Sequence, residues 1–113
     1  IIPRISQSQR ITRVFAVKHS PEDIRDELNT IVDYGGKVLD VIIEHPVYGE
    51  FKGSLMMSSR RDVAAYLSTM EKEEAEPLSK LTEGVHLHTV EADSITILNQ
   101  IEKVLDEKGY SLN

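Results

Sequence analysis

His86 and His88 stand two residues apart in Val85-His86-Leu87-His88-Thr89-Val90, a segment whose alternation predicts a strand. On a strand the two side chains leave the same face, so their imidazoles can converge on one ion. The same spacing also serves a pair of exposed or core histidines. His19 ends an earlier strand-like run immediately before Ser20-Pro21, a helix start, and strand ends beside helix N-termini frequently carry ligand-binding groups. Glu27 falls roughly 60° around that helix from Ile24, at the border of the buried stripe. There it can face the sheet, or pair at the surface with a basic neighbour such as Lys18. His19, Glu27, His86 and His88 together offer three nitrogens and one carboxylate, a set that suits zinc, nickel, cobalt or iron and not an all-oxygen calcium site. An ion held this way keeps positions open for a water, or for the carboxylate or ring nitrogen of a small ligand.

The fourth histidine, His45, shares the parity of Leu39, Val41 and Ile43 and precedes Pro46. It reads equally as a hydrogen-bonded structural residue or as a pocket-lining one, and Tyr48 in the adjoining turn has the same two readings. There is no cysteine, no Gly-x-Ser-x-Gly elbow and no glycine-rich phosphate loop with lysine, so no nucleophile stands out. Catalysis would have to rest on metal-bound water with an acid such as Glu27 as base.

The elements that must position these residues are legible in the chain. Ile11 to His19 is rich in β-branched and aromatic residues and predicts a first strand. Ser20-Pro21-Glu22-Asp23 starts a helix that runs to about Tyr34, with Ile24, Leu28, Ile31 and Val32 on one stripe and Gly35-Gly36 at its end. Lys37 to Pro46 and Glu50 to Met57 alternate around the turn Val47-Tyr48-Gly49 and predict an antiparallel hairpin. Ser58-Ser59 caps a helix with the stripe Val63, Tyr66, Leu67 and Met70, which frays through the charged run Glu71 to Glu76 into Pro77. A loop from Leu78 to Gly84 leads into the His86/His88 strand. Asp93 or Ser94 then caps a last helix carrying Ile97, Leu98, Ile101, Val104 and Leu105, with Gly109 placed to end it. The order β-α-β-β-α-β-α predicts an α+β fold: a two-layer sandwich of a mostly antiparallel sheet with helices on one face.

With 113 residues the chain is long enough for one domain with a single core, without disulfide or metal staples. Its 19 acids against 13 lysines and arginines give a net charge of −6, which makes it a poor nucleic-acid binder by itself. All the acids lie beyond residue 20, whereas Arg4, Arg10, Arg13 and Lys18 precede it, and the chain does not begin with Met. Ile1 to Gln9 therefore reads as a linker once joined to something upstream, and residues 10–113 as the domain. Neither a signal-peptide apolar region nor a membrane-length apolar run is present, which places the expected protein in the cytoplasm.

Val17-Lys18-His19-Ser20 followed by an acidic helix with Glu27, the turn His45-Pro46-Val47-Tyr48-Gly49, and Gly84-Val85-His86-Leu87-His88-Thr89 resemble the three-histidine (3H) domain. This is the C-terminal effector module of niacin-responsive bacterial transcriptional repressors. The resemblance spans about Arg10 to Gly109. It implies a βαββαβα sandwich similar to histidine phosphocarrier proteins. It also implies a divalent metal on His19, Glu27, His86 and His88, with nicotinic acid bound at or near the metal as co-repressor; on that footing His45 and Tyr48 are candidates to select its ring. An upstream winged helix-turn-helix domain, absent from this chain, would contact operators of NAD-synthesis genes, and the module would contribute to a homodimer. The rival expectations are a metal-dependent hydrolase, and a phosphocarrier-like protein with His19 phosphorylated. The acids at Glu22 and Asp23 oppose the phosphocarrier reading, because they would repel phosphate at that helix start.

Overall fold

The computed structural model describes residues 10–112; the linker expected at Ile1 to Gln9 lies outside the described residues. Four strands, β1 (Ile11–Lys18), β2 (Lys37–His45), β3 (Gly49–Met57) and β4 (Val85–Ala92), form one sheet in the order β1-β4-β2-β3. Every neighbouring pair is antiparallel. Three helices, α1 (Ile24–Asp33), α2 (Arg60–Lys72) and α3 (Ile95–Glu107), complete the expected βαββαβα order. No helix among the described residues is long and apolar enough to cross a membrane.

Period-two patterning sends Phe15 and Val17 of β1, Val38 of β2, and Val90 and Ala92 of β4 to the face covered by the helices, while Val14 on the opposite face is 54% exposed. The helices bring Leu28 and Ile31, Val63, and Leu98, Ile101 and Leu105 onto that layer. Gly36, where α1 hands over to β2, is pinched between the layers. A Cβ there would stand 2.8 Å from both Ile31 Cγ2 and Val90 Cγ1 and 2.9 Å from Ile101 Cδ1.

Two helix starts follow the capping chemistry, with Ser59 Oγ accepting from Asp62 N (3.1 Å) and Ser94 Oγ from Ile97 N (3.2 Å). The first helix departs from it. Ser20 makes no side-chain cap bond; Pro21–Asp23 form a single 3-10 turn and α1 begins only at Ile24. Ser20 is extended, as the residue before a proline prefers, and its carbonyl accepts from both Asp23 N (3.0 Å) and His19 Nδ1 (2.8 Å).

The chain after α3 supplies a contact that the residue pattern did not indicate. Lys18 N donates to Tyr110 O (2.8 Å) and Leu112 N to Ala16 O (2.9 Å), so the last residues cover the outer edge of β1. This covers the Ala16–Lys18 part of that edge and holds the end of β1 that carries His19.

Candidate metal centre

β4 is the second strand of the sheet, and its inward parity continues from Val90 to His88 and His86, opposite Phe15 and Val17 of β1. The two imidazoles therefore extend the hydrophobic layer toward one end of the sheet. His19, the residue after β1, reaches the same end, and α1 lays Glu27 over all three. Glu27 is 1% exposed, so of its two expected positions it takes the one facing the sheet.

The donor atoms converge. His19 Nε2 lies 2.5 Å and His86 Nε2 3.3 Å from Glu27 Oε1, while His88 Nε2 is 3.0 Å from Glu27 Oε2. The ligand atoms of His19, Glu27 and His86 all fall within 4.8 Å of one another, and His88 addresses the second carboxylate oxygen. The rings stack edge to face, with centroids 4.8 Å apart for both His19–His86 and His86–His88.

Each imidazole is fixed from behind by a backbone carbonyl. His19 Nδ1 donates to Ser20 O (2.8 Å), His86 Nδ1 to Gly84 O (2.9 Å) and His88 Nδ1 to Asp40 O (2.8 Å). A carbonyl can only accept, so every Nδ1 carries its proton and every neutral ring presents a bare Nε2 lone pair toward Glu27. An ionised carboxylate is also acceptor-only. Three lone pairs and a carboxylate converging in a dry site repel one another unless a proton or a cation stands between them. Two of the three orphans among the described residues lie at this point: Glu27 Oε2 and His88 Nε2 are buried without a hydrogen-bond partner, the third being Asn29 Oδ1.

Two species can relieve the repulsion. With protons, burial pulls the His19 and His88 imidazoles down, but hydrogen bonding and charge pairing with Glu27 outweigh it and leave both above the usual histidine range. For Glu27, burial pushes up while His88, His19 and His86 together hold the carboxyl well below its ordinary range. With a divalent transition metal, the donor set and spacing also fit. Ligands about 2.1 Å from an ion stand roughly 3 Å apart on adjacent positions, and carbonyl-held Nδ1 atoms are the outer support that metal-bound histidines ordinarily have.

Supporting residues escaped the reading of the sequence. Gly84 takes φ of +93°, its carbonyl anchors His86, and a Cβ on it would run into the carbonyl of His19. Asp40 holds His88 with its carbonyl and Thr89 N with its carboxylate (2.9 Å). Tyr110 packs its ring on His19 at 5.3 Å and donates its hydroxyl to Asp26 Oδ2 (2.8 Å). The glycine before Val85 was a visible signal; the other contacts are long-range and leave no local mark.

His45 and Tyr48 are not brought to this cluster. His45 ends β2 and Tyr48 lies in the β2–β3 turn, where His45 Nδ1 accepts from Val47 N (3.1 Å) and Tyr48 N (3.2 Å) and the two rings stack at 5.0 Å. Tyr48 is 75% exposed, and neither residue lines the cavity beside the cluster. That cavity measures about 20 Å³ and is bounded by Glu27, His86 and His88 on one side and by Val41, Leu55 and Tyr66 among others. A wider depression of about 240 Å³ lies near Ser20, Lys80, Glu83 and Gly84. His19 borders it, but its Nε2 is committed to Glu27, so the unsatisfied acceptors, Glu27 Oε2 and His88 Nε2, belong to residues of the small cavity. The His19 side chain is 1% exposed and its free nitrogen touches a carboxylate, an arrangement hostile to a phosphoryl group.

Residues 12–113 match the family described as the 3H domain. The chain is 45% identical over 100 residues to a probable transcription repressor NiaR of Thermotoga maritima, covering 88% of this chain and 57% of that protein. It is 40% identical over 103 residues to transcription repressor NadR of Bacillus subtilis, covering 91% and 57% respectively. An uncharacterized protein of Methanothermus fervidus is 31% identical over 100 residues, covering 82% of this chain and 16% of its own length. The chain thus spans just over half the length of the two repressors. A match that takes in β1 through the residues after α3, with every element of the buried cluster inside it, places this chain in the 3H domain family, homologous to the NiaR and NadR transcription repressors.

Proposed function

We propose that this chain is the effector-sensing domain of a transcription repressor and acts without catalysing a reaction. His19, Glu27, His86 and His88 hold a divalent transition metal (nickel, zinc, iron or cobalt), and nicotinic acid binds at or near it as co-repressor. The observation that carries the metal is the set of three imidazoles locked by carbonyls with their Nε2 atoms on one buried carboxylate. The metal supplies a Lewis-acidic position for a carboxylate or ring nitrogen; the protein supplies its orientation and the exclusion of water.

The names of the relatives support the regulatory role, and the part of their length that this chain does not cover leaves room for a further domain, which in this reading is a winged helix-turn-helix joined through Ile1 to Gln9. The acidic domain contacts operators of genes for NAD synthesis and niacin uptake only through that partner domain, in the cytoplasm and as a homodimer. Ligand can shift the dimer only by its differential affinity for two arrangements of the DNA-binding domains.

Isothermal titration of metal-free and metal-loaded protein with nicotinic acid, using nicotinamide as control, tests this reading. Saturable nicotinate binding that requires metal, with nicotinamide weaker, is the expected result. Nicotinate binding that is unchanged in His86→Ala overturns the metal-centred assignment, and metal-dependent turnover of a substrate would favour a hydrolase instead.

A further inference from the structure

The cavity beside the metal cluster has an asymmetric wall. Its inner end is polar and made by Glu27, His86 and His88, and much of the remainder is aliphatic, including Leu28, Val41 and Leu55. Ser79 and Tyr66 of α2 are the exceptions, and Tyr66 is the aromatic one. It belongs to the apolar stripe of its helix by spacing, yet its ring carries the one neutral phenol on this wall. Its hydroxyl has no hydrogen-bond partner among the described residues. Burial, and then the charge of Glu27, push that hydroxyl above its ordinary range, so at neutral pH it is a donor.

A largely apolar wall with a metal position and the hydroxyls of Tyr66 and Ser79 as its neutral polar groups fits a flat, largely apolar ligand with an anionic end. We infer that Tyr66 is a specificity-determining residue of the effector site, its hydroxyl donating a hydrogen bond to the carboxylate of a small aromatic acid held at the metal. The inference rests on the nicotinate reading above and extends it to the group that distinguishes an acid from its amide. At about 20 Å³ the cavity holds one water, whereas an aromatic ring needs roughly 150 Å³. Binding therefore displaces part of the wall. To this displacement we assign the strap through Pro77, Leu78 and Ser79, which lines the cavity and lies between two non-glycine residues in the left-handed region, Glu74 (φ 55°) and Glu83 (φ 56°).

The test is titration of metal-loaded wild type and Tyr66→Phe with nicotinate and with nicotinamide, alongside titration of the metal itself into both stripped proteins. A hydrogen bond to a charged group corresponds to a roughly ten- to hundred-fold loss in nicotinate affinity. Nicotinamide and metal affinities should stay within about twofold, so that the acid-to-amide preference collapses in the variant. A merely structural tyrosine would lower both ligands together or neither, and either outcome overturns the inference while leaving the effector reading intact. Wild type that fails to bind nicotinate at all overturns both. Tyr66→Leu, which removes ring and hydroxyl, should weaken nicotinamide as well, with nicotinate losing at least as much as in Tyr66→Phe; a greater loss of nicotinate affinity in Tyr66→Phe than in Tyr66→Leu would also count against the hydroxyl.

Discussion

Stripping the protein of metal and adding nickel or zinc back should raise its melting temperature substantially, and the increment should shrink in acid. Glu27 and the three imidazoles are nearly inaccessible, with side-chain exposures of 1%, 1%, 3% and 4% for Glu27, His19, His86 and His88. The unfolded chain cannot assemble these donors, so metal binds the folded state selectively. At a thousand-fold excess over Kd this linkage contributes about 4 kcal/mol. With an unfolding entropy of about 2.1 cal/mol/K per residue, the shift for a chain of this size is roughly 15–20 °C. Protons compete for the same site. Glu27, held low in the folded state, contributes stability present above its unfolded value and lost as pH falls through its folded one. His19 and His88, held high, contribute stability present below about pH 6.5 and lost as pH rises through their folded values. The metal-free cluster is therefore most stabilising between about pH 4.5 and 6.5, where metal must displace protons, each costing about tenfold in affinity per pH unit. Calorimetric melts of stripped and loaded protein at pH 5.5, 6.5 and 7.5, at fixed free metal, should show the increment growing with pH. An absent or pH-independent increment, or the same increment in Glu27→Gln, would refute the reasoning.

Other expectations follow from particular contacts. Glu27→Gln keeps the shape but removes the only negative charge from the cluster, and metal titration should show a loss beyond the roughly 10–100-fold typical of a supporting hydrogen bond. Gly36→Ala drives a methyl into the branched carbons of Ile31 and Val90 and should cost about 1–3 kcal/mol in denaturant melts, with metal affinity little changed. Gly84→Ala puts a side chain at φ of +93° against the His19 carbonyl, so both stability and metal affinity should fall. Tyr48→Ala, at the exposed hairpin turn, should leave nicotinate affinity within about twofold; a larger loss by titration would return Tyr48 to the effector site. Amide exchange across Ala75 to Gly84 should slow when nicotinate binds metal-loaded protein, and unchanged exchange would argue against the strap as the moving wall.

The sequence alone determined the element order, because each strand and helix carries its own period and most boundaries carry their own punctuation: Ser59 and Ser94 at helix starts, Pro46 after β2, Gly109 after α3. It also determined that His86 and His88 share a face, since strand alternation is a local property of the backbone. It left Glu27 between two readings, because a residue at the edge of a helical stripe can turn either way, and only the sheet beneath α1 settles the matter. The supports of the cluster are likewise tertiary. The carbonyl of Asp40 reaches His88 across 48 residues and the Tyr110 hydroxyl reaches Asp26 across 84. Tyr66 looked like core because helical spacing reports which face a residue occupies and not what its polar tip meets. The start of α1 shifted from Ser20 to Ile24 because the Ser20 carbonyl serves both His19 and the 3-10 turn. Local chemistry thus fixed which residues could bind, and packing fixed the protonation geometry that makes them a site: three nitrogens with their other faces satisfied, aimed at one buried carboxylate.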